Sequence, residues 1–246
     1  MSDTHPIAVV TGASRGFGRA IVTDLVAAGY DVIGIARGER DLRAVRAELG
    51  DAFTPLAADA TDEVVAHEVL RDRRPSLLVL NAGSAPHMAP IHEQTWETFS
   101  GNWHSDTRHV FTWIRAALRE PLAPGSAVIA MSSGAALAGS PLSGGYASAK
   151  AAVRYLRGYA ADEAGRAGLD IRFVALLPQL TPAGGVGAVG VAGYAARQGV
   201  DRDTFVDGMQ PILTAEQVAK AVLELAQDPA SAAEYQLSGA GLRPLG

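Results

Sequence analysis

The sequence predicts an α/β fold in which one parallel sheet is doubly wound and carries helices on both faces. Short runs of β-branched and aliphatic residues alternate with segments of helical periodicity along all 246 residues. The run 77–80 (Leu-Leu-Val-Leu) is continuously apolar, as expected of a central parallel strand that is buried on both faces. No linker, repeat or low-complexity segment interrupts this alternation, so we expect a single domain spanning residues 1–246.

The individual elements follow from these two patterns. β-Branched and aliphatic runs predict about seven strands, in chain order at 7–10, 32–36, 53–57, 77–80, 127–131, 171–177 and 235–237. Apolar residues spaced three or four apart predict helices between them, at about 17–28, 42–49, 62–73, 95–118 and 143–167. A last helix follows Thr214, which forms a capping box with Gln217. The Gly-rich segment 183–193 has neither pattern, and we expect a long substrate loop or lid around 180–210.

Composition excludes several classes of protein. A hydrophobic content of 48% is too high for a disordered chain, and a net charge of −5 without basic blocks argues against nucleic-acid and anionic-membrane binding. The absence of cysteine excludes disulfides and thiolate metal sites, and His104 and His109 lack the spacing of a metal pair, so no metal is expected. The first six residues do not form a signal peptide, and prolines and glycines interrupt the uncharged run 174–196, so we expect a cytoplasmic protein without a membrane span.

A glycine-rich turn, residues 11–18 (Thr-Gly-Ala-Ser-Arg-Gly-Phe-Gly), connects the first predicted strand to the first helix. Its glycines permit a sharp turn, and the helix N-terminus offers N–H groups and a positive dipole to a pyrophosphate. The spacing differs from that of an NTPase P-loop. We therefore predict a Rossmann-like dinucleotide site, with an ordinary βα turn as the alternative. Its predicted contacts in this turn are Gly12, Ser14, Arg15, Gly16, Phe17 and Gly18.

The residue after the second predicted strand indicates which dinucleotide binds. NAD sites usually place an acidic residue there to bind the ribose 2′-hydroxyl, whereas this strand ends in Ile35-Ala36-Arg37. A guanidinium suits a 2′-phosphate, and Arg15 offers a second positive charge. These residues predict NADP(H) as the cofactor; the alternative is that Arg37 is simply a solvated side chain.

Tyr146 and Lys150 lie four residues apart at the start of the long helix predicted at 143–167, so both side chains share one helix face. The reference pKa of a phenol is about 10, which is too high for easy proton transfer at neutral pH. A neighbouring ammonium stabilises the phenolate, which suits a tyrosine for proton transfer to a carbonyl or from an alcohol. Taken alone, such a pair is more often part of a helix surface.

Four motifs in order, namely the turn 11–18, Asn81-Ala82-Gly83, Ser132-Ser133 and Tyr146 with Lys150, resemble those of the short-chain dehydrogenase/reductase family over essentially the whole chain. The resemblance, particularly to NADP(H)-dependent ketoreductases, implies residue roles. Ser133, thirteen residues before Tyr146, orients the substrate oxygen, and Lys150 binds the nicotinamide ribose. Further cofactor contacts implied by position are Asp59, Ala60, Asn81, Ala82, Gly83, Tyr146, Lys150, Pro178 and Gln179. For Asp59, the alternative is a helix N-cap.

The sequence departs from the family pattern at two places. The family often carries an Asn in the helix after the fourth strand, where this chain offers either Asp106 or Asn102. It typically has Pro-Gly where this chain has Pro178-Gln179, so Gln179 either narrows the cofactor site, reaches the substrate or is a harmless loop substitution.

The resemblance implies an NADPH-dependent oxidoreductase that reduces an apolar ketone or aldehyde. Its catalytic residues would be Ser133, Tyr146 and Lys150. Family members commonly form dimers or tetramers, so a homo-oligomer is expected. The alternative is a protein of the same fold with a non-redox role, such as an isomerase, a cyclase or a cofactor-sensing regulator.

Overall fold

The computed structural model of the protein describes residues 5–182 and 184–245. These residues form eight strands: β1 (Ile7–Thr11), β2 (Asp31–Ala36), β3 (Phe53–Ala57), β4 (Leu77–Leu80), β5 (Ser126–Met131), β6 (Ile171–Pro178), β7 (Glu234–Ser238) and β8 (Gly241–Pro244). They also form ten α-helices: α1 (Gly16–Ala27), α2 (Glu39–Leu49), α3 (Glu63–Arg73), α4 (Trp96–Asn102), α5 (Arg108–Arg119), α6 (Ala135–Ala138), α7 (Gly144–Arg166), α8 (Gly185–Gln198), α9 (Arg202–Asp207) and α10 (Ala215–Gln227). Two 3₁₀ turns occupy Gly50–Ala52 and Ile91–Glu93.

All strands join one sheet in the order β3-β2-β1-β4-β5-β6-β7-β8. Strands β1 to β7 run parallel, and only β8 pairs antiparallel, with β7. The predicted doubly wound parallel sheet is therefore confirmed, with one strand more than expected. The sequence of β8, Gly-Leu-Arg-Pro, contains no apolar run; this edge strand pairs with β7, and its Leu242 packs against the apolar core.

Two apolar layers cover the faces of the sheet. Side chains alternate between them along each strand, so that Ala8 and Val10 pack on one face and Val9 packs on the other. Helices α1, α2 and α10 cover the first face, and α3, α5 and α7 cover the second. Each fully buried Leu or Ile contributes about 2 kcal/mol of stability through removal of apolar surface from water.

The helix predicted over 95–118 is interrupted. Its N-cap Thr95 forms a capping box with Thr98, but after α4 a turn of π-helix spans Trp103–Thr107 before α5 begins. A π turn carries about one extra residue and is common at functional sites. Here it contains the buried side chain of Asp106, while Trp103 remains partly exposed. Residue periodicity alone does not reveal such an insertion.

The prediction that residues 180–210 form a loop was wrong, because α8 and α9 occupy most of this segment. Ala183, part of the predicted loop, lies outside the described residues, as do Met1–Thr4 and Gly246. Three of the four glycines of α8 are sites of close packing, namely Gly187, Gly190 and Gly193. A Cβ atom at Gly187 would lie 2.0 Å from the carbonyl oxygen of Thr181, and one at Gly193 would lie 2.8 Å from Met88 Cε. Tertiary packing thus overrides the low helix propensity of glycine in this helix.

Within residues 5–182 and 184–245, no helix has the length and apolarity that a bilayer crossing requires.

Helices α4 and α7 cross closely enough that a Cβ atom at Gly145 would lie 2.0 Å from the carbonyl oxygen of Phe99. We therefore expect Gly145→Ala to lower the free energy of unfolding by about 2–3 kcal/mol through overpacking. Gly158→Ala in the same helix is the matched control, because its Cβ atom would meet no atom within 4 Å. That variant should raise stability by up to about 1 kcal/mol through helix propensity. Urea denaturation measures both, and equal effects of the two variants would contradict the close crossing.

Candidate active site

The residues singled out from the sequence gather at one edge of the sheet. The carboxyl ends of β1, β4, β5 and β6 lie side by side, and the predicted motifs follow them at Gly12, Asn81, Ser132 and Gln179. The strand order reverses direction at the β1–β4 pair, which is where doubly wound sheets leave a crevice for ligands. The topology thus brings four separate sequence motifs to one cleft.

Thr11, at the end of β1, holds this crevice together. Its buried hydroxyl oxygen accepts hydrogen bonds from the backbone N–H groups of Asn81 at 3.0 Å and Ala82 at 3.1 Å, and lies 2.9 Å from Nε2 of His109. In return, Asn81 Nδ2 donates to the carbonyl oxygen of Thr11 at 3.0 Å. The Asn81 motif is therefore attached to the end of β1, and His109 of α5 contacts the same hydroxyl.

The glycine-rich turn leaves the start of α1 open to a ligand. Within the described chain, the side chain of the N-cap residue Arg15 makes no capping hydrogen bond, and the first turn contains no acidic residue. A Cβ atom at Gly18 would lie 2.0 Å from the carbonyl oxygen of Gly12, so the helix packs directly on its own turn. Gly16 has φ +54°, in the left-handed region that favours glycine. The free N–H groups and the exposed Arg15 side chain fit the pyrophosphate of a dinucleotide.

The other two predicted contacts in this turn differ in burial. Ser14 is half-buried, whereas the Phe17 side chain packs against the apolar layer on the α1 face of the sheet. The side chain of Phe17 is therefore engaged with the core, while its backbone belongs to the first turn of α1.

Asp59 lies beyond the end of β3, close to the exposed Arg37 that follows β2. Its carboxylate accepts hydrogen bonds at 2.8 Å from both the backbone N–H and the hydroxyl of Thr61. These bonds, with smaller contributions from the charges of Arg37 and Arg108, hold the pKa of Asp59 below its ordinary value. The N-cap of α3 is Asp62, so the helix-cap alternative for Asp59 does not hold.

Ala60, the neighbour of Asp59, is positioned by a buried tryptophan on the second face of the sheet. Trp113 Nε1, in α5, donates to the Ala60 carbonyl oxygen at 2.8 Å. The turn after β3 is thereby attached to α5.

Tyr146 and Lys150 occupy successive turns at the start of α7, as predicted. Lys150 Nζ is buried 5.7 Å from the centroid of the Tyr146 ring and donates to the carbonyl oxygen of Met131 at 3.1 Å. Ser132, at the end of β5, donates from its hydroxyl to the backbone carbonyl of Lys150 at 2.8 Å. The half-buried Ser133 follows and accepts from Ala135 N–H at 3.2 Å. Ser132 therefore joins β5 to α7, leaving Ser133 as the serine on the turn into α6.

The π turn brings Asp106 against Lys150. Asp106 Oδ2 lies 3.0 Å from Lys150 Nζ, and both side chains are buried. Oδ1 accepts from the Ser84 backbone N–H at 2.9 Å and from the Ser105 hydroxyl at 2.8 Å. Burial raises the pKa of the Asp106 carboxyl, but the Lys150 ammonium and these hydrogen bonds outweigh it, and the net pKa is lowered. Burial likewise lowers the pKa of Lys150, and the charge of Asp106 outweighs it, so both groups are charged at neutral pH.

Asn102, the other residue considered for this position, has a different contact. Its Nδ2 donates to the carbonyl oxygen of Ser84 at 3.1 Å and to the Ser84 hydroxyl at 3.0 Å. Asn102 thus holds the loop after β4, and of the two residues it is Asp106 that contacts Lys150. The same loop contains Gly83, where a larger residue would crowd the carboxylate, because a Cβ atom there would lie 2.8 Å from Asp106 Oδ2.

His109 belongs to this cluster and was missed by the sequence analysis. Burial first, and then the charge of Lys150, lower the pKa of its imidazole to about 3, so the ring is neutral at physiological pH. The available signal was its position three residues after Asp106, which places both side chains on one helix face.

Pro178 and Gln179 lie at the end of β6. The Pro178 carbonyl oxygen accepts from Gly134 N–H at 2.8 Å, which links this turn to the one that carries Ser133. The side chain of Gln179 donates to the Pro211 carbonyl oxygen at 3.1 Å, in the loop before α10. Its side chain is therefore engaged in bracing that loop.

A second missed residue, Tyr194 of α8, joins the 185–207 segment to the site. Its hydroxyl hydrogen-bonds to the hydroxyl of Ser140, which in turn lies 2.5 Å from the hydroxyl of Ser143, just before α7. The Tyr194 ring stacks on Phe205 of α9, with ring centroids 6.5 Å apart. A single tyrosine in a segment of glycine and alanine carries no sequence signal that would have found this contact.

Among residues 5–182 and 184–245, no group of three or more His, Asp or Glu side chains is placed to hold a metal ion.

Comparison with known proteins gives partial matches to curated relatives. The chain is 41% identical over 97 residues to a "Probable NADP-dependent dehydrogenase" of Haemophilus influenzae, covering 36% of this chain and 38% of that protein. It is 39% identical over 98 residues to "Serine 3-dehydrogenase" of Agrobacterium fabrum, covering 37% of this chain and 39% of that protein. It is 29% identical over 163 residues to "NADPH-dependent pterin aldehyde reductase" of Arabidopsis thaliana, covering 63% of this chain and 67% of that protein. The match therefore covers less than half the length of the Haemophilus influenzae and Agrobacterium fabrum proteins.

A family-level comparison covers more of the chain. The family described as short chain dehydrogenase matches residues 6–188, well over half of the sequence. This match includes β1, the glycine-rich turn, the Asn81 motif, Tyr146 and Lys150. The family resemblance inferred from the motifs is thereby confirmed: the chain belongs to the short-chain dehydrogenase family.

Proposed function

We propose that the protein is an NADPH-dependent oxidoreductase that reduces an apolar ketone or aldehyde, with the described fold acting as a single catalytic unit. The observation that carries the proposal is the placement of Tyr146 one helical turn before the buried Lys150, with Nζ 5.7 Å from the phenol ring. This pair follows the end of β5, at the sheet edge where the start of α1 is open to a ligand. A protein that only binds a nucleotide has no need of such a pair.

The nucleotide would lie across the crevice between β1 and β4. Backbone N–H groups at the start of α1 would bind its pyrophosphate, and Arg15 and Arg37 its 2′-phosphate. Asp59 and Ala60 would border the adenine, and the 81–83 turn with Pro178 and Gln179 the nicotinamide half. When bound, the nicotinamide supplies the hydride that adds to the carbonyl carbon. The names of two relatives, an NADP-dependent dehydrogenase and an NADPH-dependent reductase, support the choice of NADP over NAD.

Three side chains of the protein would act on the substrate oxygen. The Ser133 hydroxyl donates a hydrogen bond that orients the carbonyl. The Tyr146 phenol donates its proton to the oxygen as negative charge develops there. The Lys150 ammonium lies beside the phenol and stabilises the phenolate left behind.

The surroundings of Ser133 and Tyr146 support an apolar, uncharged substrate. The segments 132–143 and 178–196 contain no charged residue. Leu137 and Leu180, which follow β5 and β6, leave about two fifths of their surface exposed. An apolar mouth with few polar groups favours an apolar carbonyl compound over a phosphorylated or carboxylated one.

Assembly into a homo-oligomer is part of the proposal. Tyr155 and Tyr159 on α7 stack on one another and expose 67% and 62% of their surface, and Phe111 on α5 is about half exposed. Exposed aromatic groups of this kind are enriched at protein interfaces.

Replacing Tyr146 by Phe tests the proposed chemistry. We expect Tyr146→Phe to lose at least about 100-fold in turnover because the proton donor is removed. The affinity for NADPH should stay within a few-fold of the original. The measurement is NADPH oxidation, followed at 340 nm, with 9,10-phenanthrenequinone as an apolar carbonyl probe. Tyr155→Phe, in the same helix but exposed, is the matched control and should keep full turnover. Undiminished NADPH oxidation in Tyr146→Phe would show that Tyr146 is not the proton donor, whereas no NADPH oxidation by the unmodified protein would support the non-redox alternatives.

Replacing Arg37 by Asp tests the cofactor assignment. Loss of one charge-assisted contact to the 2′-phosphate, together with the new negative charge, should weaken NADPH binding by about 10- to 100-fold. NADH binding should improve, because a carboxylate at this position accepts from the ribose 2′-hydroxyl. Equilibrium titrations followed by nicotinamide fluorescence measure both affinities. Arg40→Asp, a change at a fully exposed position in α2, is the control. If NADPH binds Arg37→Asp unchanged, Arg37 does not contact the 2′-phosphate, although the enzyme class is unaffected.

A further inference from the structure

We propose that Tyr194 is a positioning residue, which couples the 185–207 segment to the start of α7 through the hydroxyls of Ser140 and Ser143. We call these three side chains the hydroxyl chain. The coupling itself stands on contacts between described residues. Its effect on substrate binding rests on the proposed function.

The hydroxyl chain is largely shielded from water. The hydroxyls of Tyr194 and Ser140 share a hydrogen bond, and the Ser140 oxygen lies 2.5 Å from the hydroxyl oxygen of Ser143. The Ser143 side chain is buried, and the other two residues are half-buried. A polar group that loses its partner in such surroundings is poorly compensated by water. The chain therefore favours one position of α8 relative to the turn 140–143.

Tyr194 is the one residue within 185–196 of α8 whose side chain can form such a bond. The other residues of this stretch are glycine, alanine and valine. Apolar contacts are non-directional, whereas a hydrogen bond requires a particular distance and angle. The Tyr194 hydroxyl therefore adds a directional contact to a helix that otherwise packs through small apolar groups.

A second route, through the loop after β4, joins the same parts of the molecule. A Cβ atom at Gly193 would lie 2.8 Å from Met88 Cε, so α8 packs on this loop immediately beside Tyr194. The next residue of the loop, Ala89, donates from its backbone N–H to the Leu142 carbonyl oxygen at 2.8 Å. Residues 88–89 thus contact both α8 and the turn 140–143, and the hydroxyl chain joins these two parts directly.

Ser143 extends the connection to α7. It is the N-cap residue of α7, and its carbonyl oxygen accepts a hydrogen bond from Ala147 N–H at 2.9 Å. The side chain of an N-cap serine ordinarily accepts from the N–H of the second or third helical residue, here Gly145 or Tyr146. The Ser143 hydroxyl makes no such bond and contacts Ser140 instead. The helical turn that carries Tyr146 is therefore attached to α8.

The hydroxyl chain would act on substrate binding more than on the chemical step. The proposed substrate site lies at the sheet edge that α8 borders, so a displaced α8 would leave it incompletely formed. Lys150 is held by Asp106 and by the Met131 carbonyl oxygen, and neither contact involves α8. Loss of the chain should therefore weaken substrate binding while the acid–base groups stay in place.

Hydrogen exchange of the nucleotide-free protein tests the coupling without reliance on turnover. Ala147 and Ala89 are suitable probes, because their N–H groups bond to the carbonyl oxygens of Ser143 and Leu142. We expect Tyr194→Phe to accelerate exchange at both amides, as well as in α8, by about fivefold, the effect of losing one hydrogen bond. Unchanged exchange at Ala147 and Ala89 would overturn the coupling, whatever happens within α8.

The matched control is Tyr155→Phe, which removes a tyrosine hydroxyl from an exposed position on α7. Exchange at Ala147 and Ala89 should stay as in the unmodified protein. An acceleration as large as that in Tyr194→Phe would show a general response to the loss of a hydroxyl, and would contradict a specific role for Tyr194.

Ser140→Ala interrupts the hydroxyl chain at its middle and leaves Tyr194 intact. This variant should reproduce the acceleration at Ala147. Its combination with Tyr194→Phe should add little, because both changes remove the same connection. Fully additive effects would show that the two hydroxyls act separately, and would overturn the proposal. Neither change removes a buried charge or a large apolar group, so both variants should fold.

Steady-state kinetics then link the coupling to the substrate. With 9,10-phenanthrenequinone, Tyr194→Phe and Ser140→Ala should each raise KM by about three- to fivefold and leave kcat within about twofold. A rise in KM confined to Tyr194→Phe would show that its hydroxyl contacts the substrate directly, and would overturn the indirect role. If the unmodified protein does not oxidise NADPH with this probe, the proposed function fails, while hydrogen exchange still decides the coupling.

Discussion

The hydroxyl of Thr11 is the contact on which the geometry of the cleft depends. It lies where the strand order reverses, between β1 and β4, and accepts hydrogen bonds from two backbone N–H groups of the turn after β4, while His109 of α5 contacts the same oxygen. A doubly wound sheet leaves its crevice at this point, and a buried unpaired N–H there would cost about 1–3 kcal/mol. One side chain thus satisfies both donors and contacts the helix that follows Asp106.

The two buried charges of the site, on Lys150 and Asp106, are stabilised by a connected set of contacts. Transfer of an ammonium or a carboxylate into the interior is costly unless the charge is paired and hydrogen-bonded. Lys150 meets that requirement with Asp106 and the Met131 carbonyl, and Asp106 meets it with Ser84 and Ser105. These contacts reach α7, the π turn, the β4 loop and the end of β5. The same bonds that make the charges tolerable therefore hold Tyr146 in place on α7.

Much of the architecture could be predicted from local patterns, and the failures have definite causes. Apolar runs and glycine punctuation located seven strands, and the capping box at Thr214 located the start of α10, because these signals arise within a few residues. The loop prediction for 183–193 failed because glycine has low helix propensity, whereas Gly187 and Gly193 allow α8 to pack closely on its neighbours. The π turn escaped notice because one inserted residue is a small change within a long helical pattern, and β8 escaped notice because its four residues contain no apolar run.

The sequence by itself determined the order of the elements, the glycine-rich turn, the family and the spacing of Tyr146 and Lys150, because each depends on residues close together in the chain. Only the tertiary structure decided that Asp106 rather than Asn102 meets Lys150, that His109 lies buried beside Thr11, and that Tyr194 ties α8 to the loop before α7. Those contacts join residues between about 40 and 100 positions apart, and their partners are chosen by strand order and helix packing, which no local pattern encodes.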